Sequence, residues 1–233
     1  MRFQIKGILS TILAILILFL CCPGRAFAAQ RDSVVILDAG HGGEDGGAVA
    51  ADGTPESGIN LQITRQLSQI LLFMGHGVML TREGEEAVYS PEATTLREKK
   101  VSDLKNRVSM INDQDDAFVI SIHQNSLPGH PKVHGAKVFY NGVVPAQQAG
   151  MIVQTVMNRA VNGEDRPVTP IDGSIYLMKE SRHPAILVEC GFMSNPTESK
   201  KLQDPAYQMR LAVAIAAGYG QFCANEKGVT NEG

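Results

Sequence analysis

Three apolar segments of the sequence end in side chains that can bind a metal ion or transfer a proton. The first segment ends in Asp38 to Gly43 and includes His41. The second ends in Ser121 to Asn125 and includes His123, and the third ends in Val188 to Phe192 and includes Glu189. Active sites of open α/β sheets lie beyond the carboxyl ends of the strands, so these side chains are expected at one edge of a sheet. Imidazole and carboxylate groups suit Zn²⁺, and a catalytic zinc keeps one coordination position open. The pattern therefore predicts a catalytic zinc centre.

A further carboxylate is expected from the loop that follows His41. The acidic residues in and just after this loop are Glu44, Asp45, Asp52 and Glu56. Their spacing alone does not choose among them. A structural zinc site is disfavoured, because it needs four protein ligands, usually including cysteines, and only Cys190 and Cys223 follow the N-terminal apolar segment. A phosphate-binding loop is the alternative for the glycines around His41, but no Gly-Lys-Ser/Thr sequence follows them.

Alternating strands and helices must position these side chains. Short apolar or β-branched runs predict strands at Val34–Asp38, Gly77–Thr81, Ala117–His123, Ala136–Tyr140, Ile175–Met178 and Pro184–Cys190. Apolar residues at helical spacing predict helices at Ile59–Phe73, Ser102–Ile111, Ala146–Val161 and Pro205–Phe222. The alternation predicts an α/β three-layer sandwich, with a mostly parallel, partly mixed central sheet and helices on both faces.

The N-terminal residues differ in composition from the rest of the chain. Arg2 and Lys6 precede an apolar run from Ile8 to Cys22, and Ala26-Phe27-Ala28 matches the small-x-small pattern of a signal-peptidase site. The run is shorter than the roughly twenty residues of a comfortable membrane span, which favours a cleaved signal over an anchor. The predicted division is a signal peptide or N-terminal membrane anchor at residues 1–29, a catalytic domain at 33–223 and a disordered tail at 224–233.

Export and charge limit the class of substrate. An exported protein acts outside the cytoplasm, at the cell wall or at the outer face of the membrane. The formal net charge is −3 at pH 7, which argues against a nucleic-acid partner, because such binding relies on excess positive charge. A carbohydrate or peptide polymer remains compatible with this charge, since local grooves bind such substrates.

Four motifs follow one another in order along the chain. They are Asp38-Ala39-Gly40-His41-Gly42-Gly43, Glu56 with Asn60, Ser121-Ile122-His123-Gln124-Asn125, and Val188-Glu189-Cys190-Gly191-Phe192-Met193-Ser194-Asn195. Their combination resembles the zinc-dependent N-acetylmuramoyl-L-alanine amidases of the amidase-3 family, and the likeness extends from Val34 to Phe222. Two positions depart from the family pattern, because Ala39 stands where proline is usual and Ser126 where alanine is usual.

The resemblance implies roles for particular residues. The implied zinc ligands are His41, Glu56 and His123, and the implied catalytic acid–base is Glu189. Such a carboxylate accepts a proton from the attacking water and returns it to the departing amine. Asp38 and Asn125 are further candidates for orienting the ligands through hydrogen bonds, with local turn and strand-end roles as the alternative.

The implied reaction is zinc-dependent hydrolysis of the amide bond between the lactyl group of N-acetylmuramic acid and L-alanine in peptidoglycan. A lone catalytic domain behind an export segment resembles the amidases that process the cortex of bacterial endospores, where muramic-lactam formation is needed for germination. That subgroup implies action in the forespore intermembrane space, together with a membrane tether or an accessory lipoprotein partner.

Three alternatives remain open from the sequence. They are a zinc peptidase that cuts within the peptide stem, a general vegetative autolysin, and a non-catalytic wall-binding module. Glu189 argues against the last of these, because a carboxylate at the end of a buried strand is costly to desolvate and a binding module has no need of it.

Overall fold

A six-stranded sheet with helices on both faces is formed by residues 33–230, the part of the chain that the computed structural model describes. The strands are β1 (Val34–Ala39), β2 (Val78–Leu80), β3 (Ala117–Asn125), β4 (Lys137–Tyr140), β5 (Thr169–Pro170) and β6 (Ala185–Phe192). The helices are α1 (Glu56–Phe73), α2 (Leu96–Asn112), α3 (Ala146–Met157), α4 (Tyr176–Glu180), α5 (Pro196–Leu202) and α6 (Pro205–Thr230), and the π-helical turn Asn158–Asn162 extends α3. This architecture confirms the predicted three-layer α/β sandwich.

The strand order across the sheet is β2-β1-β3-β6-β4-β5. Strands β2, β1, β3 and β6 are parallel, β4 is antiparallel to β6, and β5 is parallel to β4. The predicted mostly parallel, partly mixed sheet is thereby confirmed. The register places Asp38 opposite Ser121 and His123 opposite Glu189, so the carboxyl ends of β1, β3 and β6 lie side by side.

Alternation along the strands sends apolar side chains into two hydrophobic layers. One layer, between the sheet and helices α1, α3 and α6, contains Leu37 and Ile120. The other layer, between the sheet and helices α2 and α4, contains Ile36 and Val119. Both faces of the parallel strands are therefore covered, which explains the unbroken apolar run Ala185–Val188 at the start of β6.

The strand predicted at Ile175–Met178 was wrong, because this segment forms the short helix α4. Leu177 and Met178 are buried there against the α2 side of the sheet. A short apolar run does not distinguish a strand from a helical turn by its period, since either can bury two neighbouring side chains. Two further short elements, β5 and α5, were not predicted.

The C-terminal helix is longer than the sequence analysis predicted. Helix α6 continues to Thr230, so the prediction of a disordered tail at 224–233 was wrong for residues 224–230. Each residue added to an existing helix gains a hydrogen bond, and a long packed helix can therefore propagate beyond its last buried side chain, Phe222. Residues 231–233 lie outside the described part of the chain.

The signal peptide or anchor predicted at residues 1–29 also lies outside the described residues. Within residues 33–230, no helix is long and apolar enough to cross a membrane. The predicted boundary between this segment and the catalytic domain therefore remains a prediction.

The core assignment predicts the effect of shortening Ile120, which is fully buried on the central strand β3. Ile120→Ala leaves a cavity and should lower the free energy of unfolding by about 2–5 kcal/mol. Denaturant titration measures this loss. Val144→Ala is the control, because the Val144 side chain is 87% exposed, and its effect should stay within about 0.5 kcal/mol. Equal losses in the two variants would contradict the described core.

Candidate metal centre

Three side chains that can bind a metal ion meet at the carboxyl edge of the sheet. His41 follows β1, Glu56 begins α1 and His123 lies near the end of β3. One ligand atom from each lies within 4.8 Å of the other two. These side chains and Glu189 line a cavity of about 420 Å³. The structure therefore brings together the four residues that the sequence analysis assigned to the site.

The Glu56 carboxylate is buried, and each of its oxygens accepts hydrogen bonds. Oε1 accepts from the backbone N–H of Gln124 at 2.9 Å and from the Asn60 side chain at 3.1 Å, and Oε2 accepts from the Ala48 N–H at 2.9 Å. Burial alone would raise the pKa of Glu56, but the hydrogen bond and charge of His123 and the backbone donor lower this pKa to about 2. The carboxylate is ionised at neutral pH and can serve as an anionic ligand.

His41 has a left-handed backbone conformation, with a φ of 61° that is uncommon for a residue other than glycine. Its Nδ1 lies 3.0 Å from Asp45 Oδ2, and its Nε2 lies 3.5 Å from Glu56 Oε2. A carboxylate on one ring nitrogen fixes the orientation of the ring and leaves the other nitrogen for a metal. The hydrogen bond with His41 also holds the pKa of Asp45 well below its usual range, and Lys100 Nζ lies 3.2 Å from the same carboxylate.

His123 packs directly over the backbone of Gly40. A Cβ atom added at Gly40 would lie 2.2 Å from the imidazole ring, so the ring can take this position only beside a glycine. The Nδ1 atom of His123 lies 3.1 Å from Glu56 Oε1. Burial lowers the pKa of His123, but the hydrogen bond with Glu56 and the charges of Glu189 and Glu56 outweigh it, so the pKa is raised.

Glu189 differs from Glu56 in its surroundings. Its Oε2 atom is buried and has no hydrogen-bond partner among the described residues. Burial, aided by the charge of Glu56, raises the pKa of Glu189 to about 7 against the opposing charges of His123 and His41. A carboxyl group with this pKa can hold or release a proton near neutral pH.

The donor set fits a zinc ion. Two imidazoles and one ionised carboxylate make up the three-ligand set of many catalytic zinc sites, in which a fourth position is left for water or substrate. Glu189 lines the same cavity, and its buried Oε2 atom is an acceptor that no described protein donor satisfies. The arrangement is suited to hydrolysis assisted by a metal ion.

Asn60 and Gln124 support the ligands in a way that the sequence analysis did not predict. The Asn60 amide donates to the Gly40 carbonyl and to Glu56, each at 3.1 Å. The Gln124 side chain donates in turn to the Asn60 side-chain oxygen at 3.1 Å. The sequence did contain a signal for the role of Asn60. Its four-residue spacing from Glu56 places the two side chains on one face of a helix.

Among the described residues, no side-chain hydrogen bond joins Asp38 or Asn125 directly to His41, Glu56 or His123, although the charge of Asp38 acts on His123, so their orienting role remains a prediction. Asp38 accepts hydrogen bonds from Ser121, Thr81 and Arg107, and it is buried beneath the site. Burial would raise the pKa of Asp38, but Arg107 and Ser121 lower it to about 2. The Asn125 carbonyl accepts a hydrogen bond from a backbone N–H in the segment that follows β6.

Fold and site together define a hydrolase with a three-layer α/β sandwich and a His-Glu-His group that could hold a metal ion. The chain belongs to the Amidase_3 family, described as N-acetylmuramoyl-L-alanine amidase, whose pattern matches residues 35–220. The match covers the sheet, the candidate metal ligands and Glu189, as the resemblance of the four motifs predicted.

Individual relatives agree with this assignment. The germination-specific N-acetylmuramoyl-L-alanine amidase of Bacillus subtilis (strain 168) is 35% identical over 187 residues, which cover 79% of this chain and 77% of that protein. The structure of the CwlD amidase from Clostridioides difficile in complex with the GerS lipoprotein matches with a TM-score of 0.79 at 36% identity, covering 83% of this chain and 99% of that one. The catalytic domain of CwlV from Bacillus (Paenibacillus) polymyxa var. colistinus matches with a TM-score of 0.69 at 28% identity. The match covers 83% of this chain and 99% of that one.

Removal of one candidate ligand tests the ligand set. His41→Ala should weaken zinc binding by more than the roughly 10- to 100-fold that loss of a supporting partner costs. Competition with a chromogenic chelator measures the zinc Kd. His134→Ala is the control, because His134 is exposed and does not line the cavity. An unchanged zinc affinity in His41→Ala would remove that residue from the ligand set.

The backbone of Gly47 lies close to the side chains of Glu56 and His41, which gives a second prediction. Gly47 has a φ of +70°, and an added Cβ would lie 2.6 Å from Glu56 Oε2 and 2.7 Å from His41 Cδ2. Gly47→Ala should therefore separate the two side chains and raise the zinc Kd by about tenfold or more.

Gly53→Ala is the matched control for this substitution. Its φ is also positive, at +90°, but an added Cβ would meet nothing within 4 Å. Both alanines should cost about 1–2 kcal/mol of stability through backbone strain, whereas only Gly47→Ala should change the zinc Kd. Similar Kd values for the two variants would contradict the steric argument.

Proposed function

We propose that His41, Glu56 and His123 hold the zinc ion with which this amidase-family protein hydrolyses peptidoglycan. The bond is the amide between the lactyl group of N-acetylmuramic acid and L-alanine, as family membership supports. The observation that carries the proposal is the buried, unpartnered Oε2 of Glu189 beside the three-residue group. A hydrolase needs a proton acceptor in that place, and a structural metal site does not.

Glu189 is the proposed proton-transfer group. A zinc ion bound at the site would supply Lewis-acid chemistry, making water more acidic and stabilising negative charge on the substrate carbonyl oxygen. Glu189 accepts the proton that the attacking water loses, and it then donates a proton to the departing amine of L-alanine. Burial raises the pKa of Glu189, which makes it a better proton acceptor than an exposed carboxylate. Glu56 stays ionised throughout, because its hydrogen bonds favour the charged form.

Glu189→Gln keeps the shape of the side chain but removes its capacity to accept a proton. The variant should bind zinc as the wild type does and lose about 10²–10⁴-fold in kcat. Release of soluble stem peptides from purified peptidoglycan measures the rate. Glu44→Gln is the control, since the Glu44 side chain is 56% exposed, and it should keep its activity. A rate for Glu189→Gln within tenfold of the wild-type rate would exclude the proposed role.

The competing function is that of a zinc peptidase acting within the stem peptide, because two histidines and a glutamate also hold the zinc of some metalloproteases. Mass spectrometry of the digested wall separates the two functions. Stem peptides with a free L-alanine N-terminus support the amidase. Glycan strands that still carry L-alanine support the peptidase.

We further propose that the protein is exported and matures the spore cortex. The support is its 35% identity with the germination-specific amidase of Bacillus subtilis, together with the signal-like N-terminal segment. In a spore-forming host, replacement of the gene by its Glu189→Gln allele should deplete muramic lactam from the cortex and block germination. A normal cortex with a defective vegetative wall would instead support a vegetative autolysin.

An accessory lipoprotein is the proposed partner, and the CwlD amidase solved in complex with the GerS lipoprotein supports it. Lipoproteins encoded in the same genome can be tested for co-purification with the full chain during sporulation. Full activity of the purified protein alone, with no lipoprotein recovered, would contradict the need for a partner.

A further inference from the structure

Two buried arginines bind the backbone of the loop that carries His41. Arg82 and Arg107 are 4% and 1% exposed. Arg107 donates to the carbonyl oxygens of Ala39 and His41, each at 2.7 Å. Arg82 donates to the carbonyl oxygens of Ala39 at 2.9 Å and Gly40 at 3.2 Å. Three consecutive carbonyl groups, including that of His41 itself, therefore face guanidinium donors.

Arg82 also connects this loop to helix α1. The nitrogen that binds the Gly40 carbonyl donates to the Ser57 carbonyl at 2.8 Å. Ser57 follows Glu56, and Gly40 precedes His41. One rigid guanidinium thus fixes the backbone beside the first histidine relative to the backbone beside the carboxylate.

The two arginines are costly to bury, which indicates that their donors are needed. The buried charge of Arg107 is paired with the carboxylates of Asp38 and Asp103, each 2.8 Å away. The hydrogen bonds described for Arg82 end on carbonyl oxygens, and burial lowers the pKa of Arg82 to about 10. An apolar side chain of similar volume would avoid the desolvation cost of a buried charge.

The backbone conformation of His41 requires stabilisation, and the guanidinium donors supply it. Its left-handed conformation, with a φ of 61°, is strained for an L-residue other than glycine. This conformation turns the imidazole toward Glu56 while the carbonyl of the same residue points at Arg107. Hydrogen bonds from a charged donor are stronger than those between neutral groups, so the bonds from Arg107 can offset this strain.

We propose that Arg82 and Arg107 are positioning residues that hold residues 39–41 in the conformation that directs His41 at Glu56. Both act on this loop through its backbone carbonyl groups, and Arg107 also lines the cavity. The expected change in zinc affinity rests on the proposed zinc site. The expected change in the loop conformation does not depend on zinc.

Arg107→Lys and Arg82→Lys test the proposal, because lysine keeps the charge but lacks the planar fork that binds several carbonyls at once. Hydrogen–deuterium exchange of the metal-free full chain is the first measurement. The amides of Gly42 and Gly43 donate to the carbonyls of Asp45 and Glu85, so their exchange reports on the loop. Exchange at residues 40–47 should speed up about tenfold or more, and the zinc Kd should rise about 10- to 100-fold.

Gln154→Leu is the matched control, because Gln154 is 2% exposed and forms hydrogen bonds with Ala136 and Val138, none of which lines the cavity. It should lower the melting temperature without changing loop exchange or zinc Kd. Unchanged exchange in both lysine variants would overturn the proposal, and so would an equal change in the control, which would trace the effect to global stability. Failure of the wild type to bind zinc would refute the proposed function, while loop exchange would still decide this inference.

Discussion

The geometry of the site depends on the hydrogen bonds that the buried carboxylate of Glu56 accepts. It accepts hydrogen bonds from Ala48 in the loop after β1, from Asn60 on α1 and from Gln124 on β3. Burial of an unpaired carboxylate would cost several kcal/mol, so the charge can be buried only where these three parts of the chain meet. The fold therefore prepares an anionic ligand and places it between two histidines.

A second consequence of the fold is that the pKa values of Glu56 and Glu189 are shifted in opposite directions. Glu56 has a pKa of about 2 because donors surround it, whereas Glu189 has a pKa of about 7 because burial leaves one of its oxygens without a partner. The parallel pairing of β3 with β6 sets Glu189 opposite His123 and thus beside the ligands. One carboxylate is available as a permanent anion and the other as a proton carrier, and the difference comes from their surroundings alone.

The sequence predicted the sheet and three of the four site residues on physical grounds. His41, His123 and Glu189 each follow an apolar strand, and parallel strands bring such endings to one edge. Glu56 needed the family resemblance, because four loop carboxylates had equivalent spacing. The role of Arg107 was not predicted, because its contacts with Asp38, Ala39 and His41 join residues 66 to 69 positions apart, which no local pattern reveals. The short helix α4 was missed because packing, rather than period, decides it. The end of α6 was missed because the helix propagates past Phe222 through residues 224–228, which are exposed.

Anomalous scattering from a crystal of the zinc-loaded protein tests the central claim most directly. Data on either side of the zinc absorption edge should give one strong peak bonded to His41, Glu56 and His123, with ligand distances of about 2.0–2.2 Å. The carboxylate of Glu189 should lie beside the ion but outside bonding distance. A peak elsewhere, or one in which Glu189 replaces Glu56 as the ligand, would contradict the account.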